Sequence, residues 1–433
     1  MNLLVTNTRA AQAYFIIRAL RPQAEKIVVT MYGKSSLTAR LSHAASSRLV
    51  DKRYYVPSPA GDWKRGKLGK ANSDSEEAYV NRLLKICEEE RIDTLFPSWD
   101  AQIYVVAKNK ERFEKLGVFI PVPDYETLVI TLDKYRIVQV AQKAGLDCPR
   151  TYLPERPEDI GGIADELRFP VAVKPRYTSW GTEIVRDRAS LLEKARNVAE
   201  TYGVPMVQEY VPGGERQDIH IVLDKGGESK LVFQRKTRRS LRLDPHAHFS
   251  SVHELTNPYP HTAAALRLVQ MLGWWGSATV ETAVDPRDGK VKFMEFVPRF
   301  RRQLWNSTEL GINEPWMCLK IARGEAVEPV KDCPLGVMFL SPIEDMLVLV
   351  FQLLDLIAYK FRIGVMRKAP LDLWTPPQSV KQISRSFVQT YFGTNRKIVD
   401  PYFRYFLQDP MVSLLWWLQL SSWMLGMARR LGR

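Results

Sequence analysis

The sequence predicts an α/β protein in three parts: an open, mostly parallel sheet, then an α+β body, then a mainly helical carboxyl extension. Three observations predict it. Up to residue 100, short apolar runs alternate with stretches of helical periodicity. Between residues 169 and 300, four apolar runs each carry an isolated charged residue, and two long apolar segments close the chain. The parts are expected at 1–120, 121–330 and 331–433, and 433 residues suffice for two to three domains with cores of their own.

The amino part opens on a strand, Asn2 to Asn7. A helix from Arg9 to Leu20 follows, with apolar residues at Ala10, Tyr14, Ile17 and Leu20. A strand at Lys26 to Met31, a helix at Glu76 to Glu90 and a strand at Thr94 to Pro97 continue the alternation of a parallel sheet. The dinucleotide fingerprint G-x-G-x-x-G is absent from the first turn, so NAD is not expected. The turn Ser98-Trp99-Asp100 sits at a strand's carboxyl end, where open sheets place ligand contacts, although a capped helix start is the simpler account.

The chemistry concentrates in the body. Val291 to Phe300 (VKFMEFVPRF) sets Glu295 in an apolar run that reads as a buried strand, with Arg299 just after it. A buried carboxylate costs several kcal/mol unless paired, and its natural partner here is a divalent cation, with Arg299 on a phosphoryl group. Ser277 to Asp285 (SATVETAVD) carries Glu281 in a similar run, and Asp288-Gly289 supplies a turn between them. The pair predicts a β-hairpin presenting two carboxylates to one site, or two glutamates on the wet face of a one-sided sheet. Upstream, FPVAVKP ends a buried strand in Lys174, followed by a small-residue loop around Ser179 and Gly181. A lysine there meets anions, and a glycine loop turns backbone N–H groups toward phosphates, although the phosphate-loop signature itself is absent. Val207 to Glu215 (VQEYVPGGE) is a strand breaking into a loop, an edge suited to a base and a ribose.

The order Asp133-Lys134, PVAVKP, VQEYVPGGE, VET, MEFVPRF resembles the ATP-grasp superfamily, which includes carboxylate-amine ligases and the large subunit of carbamoyl-phosphate synthase. The resemblance covers about residues 1 to 330 and rests on the order of five elements. It implies a Rossmann-like pre-ATP-grasp domain followed by an α+β ATP-grasp fold, with ATP and Mg²⁺, or Mn²⁺ in its place, as cofactors. It further implies that Lys134 and Lys174 contact the nucleotide, that Gln208, Glu209, Tyr210 and Val211 form the hinge strand beside adenine, and that Glu215 binds ribose. Glu281 and Glu295 match the metal-binding acids, and Arg299 and Lys174 the catalytic cations at the transferring phosphate.

One departure stands out. The family pattern Glu-x-Asn-Pro-Arg here reads Glu295-Phe296-Val297-Pro298-Arg299, and valine offers magnesium no donor atom. Arg301 and Arg302 also stand where the family tends to have small residues. A site with one strong metal position is implied, and a degenerate site that binds nucleotide without turnover stays open.

Outside these motifs, Phe233 to Leu243 (FQRKTRRSLRL) gathers Arg235, Lys236, Arg238, Arg239 and Arg242. Lys236, Arg238 and Arg239 are candidates for an acidic co-substrate, the alternative being a solvated charged loop. His246 and His248 form an H-x-H pair, weak as a metal signal. Cys87, Cys148, Cys318 and Cys333 have no C-x-x-C spacing, which fits reduced thiols in the cytoplasm and excludes a zinc ribbon. The net charge is +14, but the basic residues are not interleaved with aromatics, so nucleic acid is not expected as a partner.

The last part carries a different signal. Val348 to Tyr359 is apolar except for Gln352 and Asp355, and Met411 to Ala428 has no charge and ends in Arg429-Arg430. Eighteen helical residues span about 27 Å, short of a hydrocarbon core of roughly 30 Å. Crossing would also put the ATP-using parts outside the cell, with no signal peptide to export them. Two readings remain: helices lying on the inner membrane surface, or helices packed on the body or in an oligomer interface. The aromatic run around Tyr402 to Phe406 is expected to share that interface. The function expected is ATP-dependent activation of a carboxylate as an acyl phosphate for attack by an amine, with ADP and phosphate released. The alternatives are an ATP-grasp kinase and a nucleotide-binding membrane scaffold without turnover.

Overall fold

The computed structural model describes residues 1–33, 42–59, 63, 68–69, 71–178, 181–212, 214–244, 247–360 and 379–431, with backbone alone at 241–244, 247–250, 355, 358–359 and 422–431. The amino part has the expected β1 (Asn2–Val5), α1 (Ala11–Leu20) and β2 (Lys26–Tyr32), then a strand the sequence reading did not foresee, β3 (Lys52–Val56), and then the expected α2 (Asp74–Glu90) and β4 (Thr94–Phe96). The strands form one parallel sheet in the order β3-β2-β1-β4. Its central strand is covered on both faces, so Leu3, Leu4 and Val5 are all buried, the continuous apolar run that parallel sheets require. Ser73 caps α2 through a capping box with Glu76, which fixes where that helix begins.

After β4 the chain turns through Ser98, whose hydroxyl donates to the Thr6 carbonyl at 2.6 Å, and enters α3 (Asp100–Lys108). The body adds α4 (Lys134–Lys143) and a small antiparallel sheet in the order β5-β8-β6-β7, made of β5 (Thr151–Tyr152), β6 (Val171–Lys174), β7 (Glu183–Val185) and β8 (Met206–Glu209). Helix α5 (Arg188–Tyr202) backs this sheet, burying Leu191, Ala195 and Val198 against Val171, Val173 and Val207.

A larger sheet follows, of seven strands in the order β13-β12-β9-β10-β11-β14-β15. Its members are β9 (Arg216–Leu223), β10 (Ser229–Asp244), β11 (Ala247–Thr256), β12 (Gly276–Val284), β13 (Val291–Val297), β14 (Met338–Leu340) and β15 (Lys397–Val399). The basic cluster at 233–243 is therefore a strand and not a loop. Its alternation puts Arg235 on the buried face with Leu231 and Phe233.

The two last strands lie beyond residue 330, so the carboxyl part is woven into the sheet of the body. Three helices complete it: α6 (Pro342–Lys360), α7 (Val380–Phe392) and α8 (Pro410–Leu431). Among the described residues no helix is long and apolar enough to cross a membrane. Each of the two apolar segments has a packed face. Val348 and Leu349 of α6 are buried, and Gln352 donates to the Ser240 carbonyl at 2.9 Å. On α8, Val412 and Trp416 are buried, and Gln419 donates to the Arg9 carbonyl at 3.1 Å. Tyr402 stacks between Trp416 and Tyr14, at 4.9 and 5.4 Å between ring centroids. The aromatic run thus divides: Tyr402 closes the joint between the carboxyl part and α1, while Phe403 is exposed.

One ion pair holds this wrap in place. Arg239, expected to meet a co-substrate, is buried, with Nη1 at 2.5 Å from Asp345 and Nη2 donating to Ser386 Oγ at 3.2 Å and Thr390 Oγ1 at 3.0 Å. Asp345 also accepts from Ser251 Oγ at 2.6 Å and from the Tyr391 hydroxyl at 2.9 Å. With both Nη groups engaged by α6 and α7, this buried guanidinium positions helices. Arg239→Ala leaves the Asp345 carboxylate buried without its cation, a defect worth about 3–5 kcal/mol. Urea unfolding should show that loss, with Arg239→Lys recovering part of it.

Candidate functional site

The hairpin forms as expected, and its register brings the two carboxylates together. β12 and β13 pair antiparallel with Glu281 directly opposite Glu295. On the other edge of β12, Glu281 stands opposite Asp218 of β9, which in turn faces Arg235 of β10. One rung of the sheet thus carries a cation and three carboxylates side by side, a row of like charges that needs compensation.

Arg301 supplies it, with Nη1 at 2.7 Å from Asp218 and Nη2 at 2.5 Å from Glu281. Arg235 Nε donates to Asp218 at 3.0 Å, and Arg216 lies 3.4 Å from Glu281. Burial alone would raise the Asp218 pKa, but Arg301 and Arg235 outweigh it and hold the carboxyl well below its usual range. Glu295 is the exception. Its side chain is exposed at a cleft, while its neighbours Phe293, Phe296 and Val297 are buried. The cleft walls and then the Glu281 carboxylate push its pKa up, against the pull of Lys134 and Arg299.

The two lysines come from the other side. Asp133 starts α4 by accepting from the backbone N–H groups of Tyr135 and Arg136 at 3.1 and 3.2 Å. It also takes both Nε and Nη2 of Arg176, at 2.9 and 2.6 Å. That clamp ties the end of β6 to the start of α4, so Lys134 and Lys174 emerge together. Lys134 Nζ donates to the Thr178 carbonyl at 2.6 Å, and Lys174 Nζ to Gln208 Oε1 at 2.7 Å. Burial holds each ammonium down to about 8; Lys134 lowers Lys174 further, and Glu295 opposes the shift in both. Among the described ion pairs neither lysine is matched to a carboxylate at contact distance.

Arg299 is oriented by a partner from the first part: its Nε donates to Asp100 at 2.6 Å, and its guanidinium lies 4.5 Å over the Trp99 ring. The turn taken as a helix cap is thus a brace for the site. Trp99 makes no capping hydrogen bond, and the Asp100 carboxylate belongs to Arg299.

The hinge residues follow in line. Gln208 is buried between Lys174 and Thr151, whose Oγ1 accepts from Gln208 Nε2 at 2.9 Å, and Tyr210 and Val211 are buried beyond it. Glu209 is engaged elsewhere, by Arg287 at 2.7 Å and the Arg150 backbone N–H at 3.3 Å, so its contribution to a hinge is backbone only. Glu215 is exposed and accepts from Gln217 at 2.9 Å. Next to it, a Cβ on Gly214 would fall 1.7 Å from the Val284 carbonyl oxygen, so only glycine lets this loop lie against the hairpin.

Of the basic candidates, Arg238 pairs with Glu254, and Lys236 sits opposite Gln217 and Glu254 in the ladder. His246 and Ser179 lie outside the described residues, as does the side chain of His248, and no described cluster of His, Cys, Asp or Glu could hold a metal by itself. The sequence reading missed Asp218, although a carboxylate in the apolar strand RQDIHIVL is the same signal that marked Glu281. It also missed Arg216, and it named the Ser98-Trp99-Asp100 turn without foreseeing that Asp100 holds Arg299.

Comparison with known proteins adds the lineage. Residues 133–329 match the family described as carbamoyl-phosphate synthase L chain, ATP binding domain, and residues 73–121 match the PylC-like N-terminal domain. The carbamoyl phosphate synthase large chain of Archaeoglobus fulgidus is 25% identical over 241 residues, 50% of this chain and 22% of that one. The mitochondrial acetyl-CoA carboxylase of Saccharomyces cerevisiae is 30% identical over 189 residues, 41% of this chain and 8% of that one. The chain therefore spans only a fraction of the length of these relatives.

Among solved structures, the biotin carboxylase domain of Hydrogenobacter thermophilus 2-oxoglutarate carboxylase, a dimer with MgADP, ADP and bicarbonate, superposes with a TM-score of 0.59 at 17% identity over 78% of this chain and 73% of that one. Biotin carboxylase of Campylobacter jejuni, in complex with β,γ-ATP, gives 0.60 at 16% identity over 78% and 74%. These likenesses show a shared fold. The ATP-grasp resemblance itself rests on residues 133–329, the segment that matches the carbamoyl-phosphate synthase ATP binding domain family.

Proposed function

We propose that this cleft binds ATP with a divalent cation and activates a carboxylate as an acyl phosphate for attack by an amine, releasing ADP and phosphate. The observation that carries the reading is the meeting of Lys134 and Lys174, two ammonium groups without a contacting carboxylate, with the Glu281–Glu295 rung. Each half of the site has an unmet charge: the lysines want a polyanion and Glu295 wants a cation. A nucleoside polyphosphate with a divalent ion satisfies both at once.

In this reading Lys134 and Lys174 hold the phosphates, and the backbone of Glu209 to Val211 lies along the base. Glu215 is open to a ribose hydroxyl. Arg299, held by Asp100 and Trp99, meets the transferring phosphoryl group as charge moves onto it. Mg²⁺, or Mn²⁺ in its place, supplies charge neutralisation at the phosphates. Glu295 is its principal ligand, because the Glu281 oxygens are engaged by Arg301 and Arg216 and Val297 is buried with no donor atom. The site is thus built around one strong metal position. Lys236 remains the candidate for the acidic co-substrate. Four cysteines without a disulfide support a reducing compartment such as the cytoplasm.

The reaction is tested by phosphate release from ATP and a panel of carboxylates, with and without amines. Release that depends on an added amine supports ligation. Release that needs the carboxylate alone, with a stable phosphorylated product, identifies a kinase.

The lysines impose a pH dependence. Both are protonated below pH 8 and lose their charge as pH rises through about 8, toward which burial has lowered them. Polyphosphate restores the charged form, so nucleotide affinity should fall between pH 7 and pH 9, and binding at pH 8 should take up protons. Calorimetry in buffers of different ionisation enthalpy reads that uptake directly, and its absence would mean that the lysines do not meet the ligand.

A further inference from the structure

The carboxyl helices leave one surface unaccounted for. Of eighteen large apolar side chains described as exposed, thirteen lie after residue 341, so the excess is concentrated in the part outside the nucleotide fold. On α6 they form one stripe, Met346, Val350, Leu353, Leu354 and Ile357, each 41–51% exposed. This is the i, i+4, i+7, i+8, i+11 spacing of a single helix face, running about 16 Å along the axis. The neighbouring α7 adds Val380, Val388 and Phe392.

The charges around this face are sorted by sign. The acids of α6 with described side chains, Glu344 and Asp345, point inward to Arg302 and Arg239 and are buried. Helix α7 contains no acid at all. Lys360, Lys381 and Arg385 are exposed on the same two helices. The outer surface of α6 and α7 therefore offers large apolar groups and cations, with no exposed carboxylate among its described side chains.

We propose that this face lies on an anionic lipid surface, with the α6 stripe at the level of the acyl chains and Lys360, Lys381 and Arg385 among the headgroups. A second copy of the chain fits less well, because a two-fold contact through this face would set the three cations against themselves. A basic, apolar-striped helix lying flat is the form that binds bilayers without spanning them. Arg239 and Arg302 have a second consequence here, since by drawing Asp345 and Glu344 inward they strip the outer face of negative charge.

The test is co-sedimentation of the full chain with vesicles of phosphatidylcholine alone and with vesicles that include phosphatidylglycerol. The chain should sediment with the anionic vesicles, less with the neutral ones, and be released by salt. Leu353→Asp with Ile357→Asp, and separately Lys381→Glu with Arg385→Glu, should each weaken binding by about tenfold or more. Both pairs are exposed, so unchanged circular dichroism and unchanged nucleotide binding serve as folding controls, and the nucleotide assay keeps this result separate from the fate of the ATP reading. Wild-type protein that stays in the supernatant with both vesicles would overturn the proposal. So would a dimer in sedimentation analysis that the Leu353→Asp, Ile357→Asp pair dissociates, since a second copy would then cover the face.

Discussion

The rung Arg235–Asp218–Glu281–Glu295 is the constraint on which the rest of the site depends. Three carboxylates on adjacent strands repel, and the sheet tolerates them because Arg301, Arg235 and Arg216 compensate Asp218 and Glu281 from the protein side. Among the described ion pairs of this rung, Glu295 has none, and Lys134 and Arg299 act on it from further off. The sequence departures at Val297 and Arg301 then belong to one design. A ligand atom is lost at one position, and a fixed guanidinium sits a few residues on, where it neutralises the glutamate that would share the metal. A permanent side-chain cation does not dissociate, and in the proposed reading this leaves the site with one metal position.

The opposite wall is built on the same logic with the signs reversed. The Asp133–Arg176 clamp brings α4 and the end of β6 together, and with them two lysines lowered by burial, Lys174 further by the charge of Lys134. Repulsion of this kind weakens the free protein locally, and it persists because the clamp and the hydrogen bonds to Thr178 and Gln208 hold both side chains. A polyanion that enters the cleft releases the repulsion, so part of its binding energy comes from strain stored in the free site.

Much of this was legible in the sequence. A lone acid in an apolar run, repeated across a turn signal, pointed to the hairpin and its two glutamates, and the βαβ alternation pointed to three of the four strands of the first sheet, the half-exposed edge strand Lys52–Val56 escaping it. What the sequence hid was anything set by long-range pairing. Asp100 meets Arg299 across 199 residues, and no local pattern encodes that. Arg239 looked like its basic neighbours until a helix more than 100 residues away took its guanidinium. Glu295 looked buried because its neighbours are apolar, yet it is exposed where the register of β12 and β13 shifts between it and Phe293. The carboxyl helices were ambiguous for a physical reason: each has one packed face and one apolar outer face, so the packing reading holds for the first and the membrane reading is a proposal about the second.

The site stands or falls on whether the lysine pair and the glutamate rung share one ligand. Calorimetric titration of the full chain with a non-hydrolysable ATP analogue, with and without Mg²⁺, tests this on the wild type and on Lys174→Ala. Binding that strengthens with Mg²⁺ in the wild type and disappears in a folded Lys174→Ala variant is the predicted result. Equal absence of binding in both, or binding that the loss of Lys174 leaves untouched, would contradict the account.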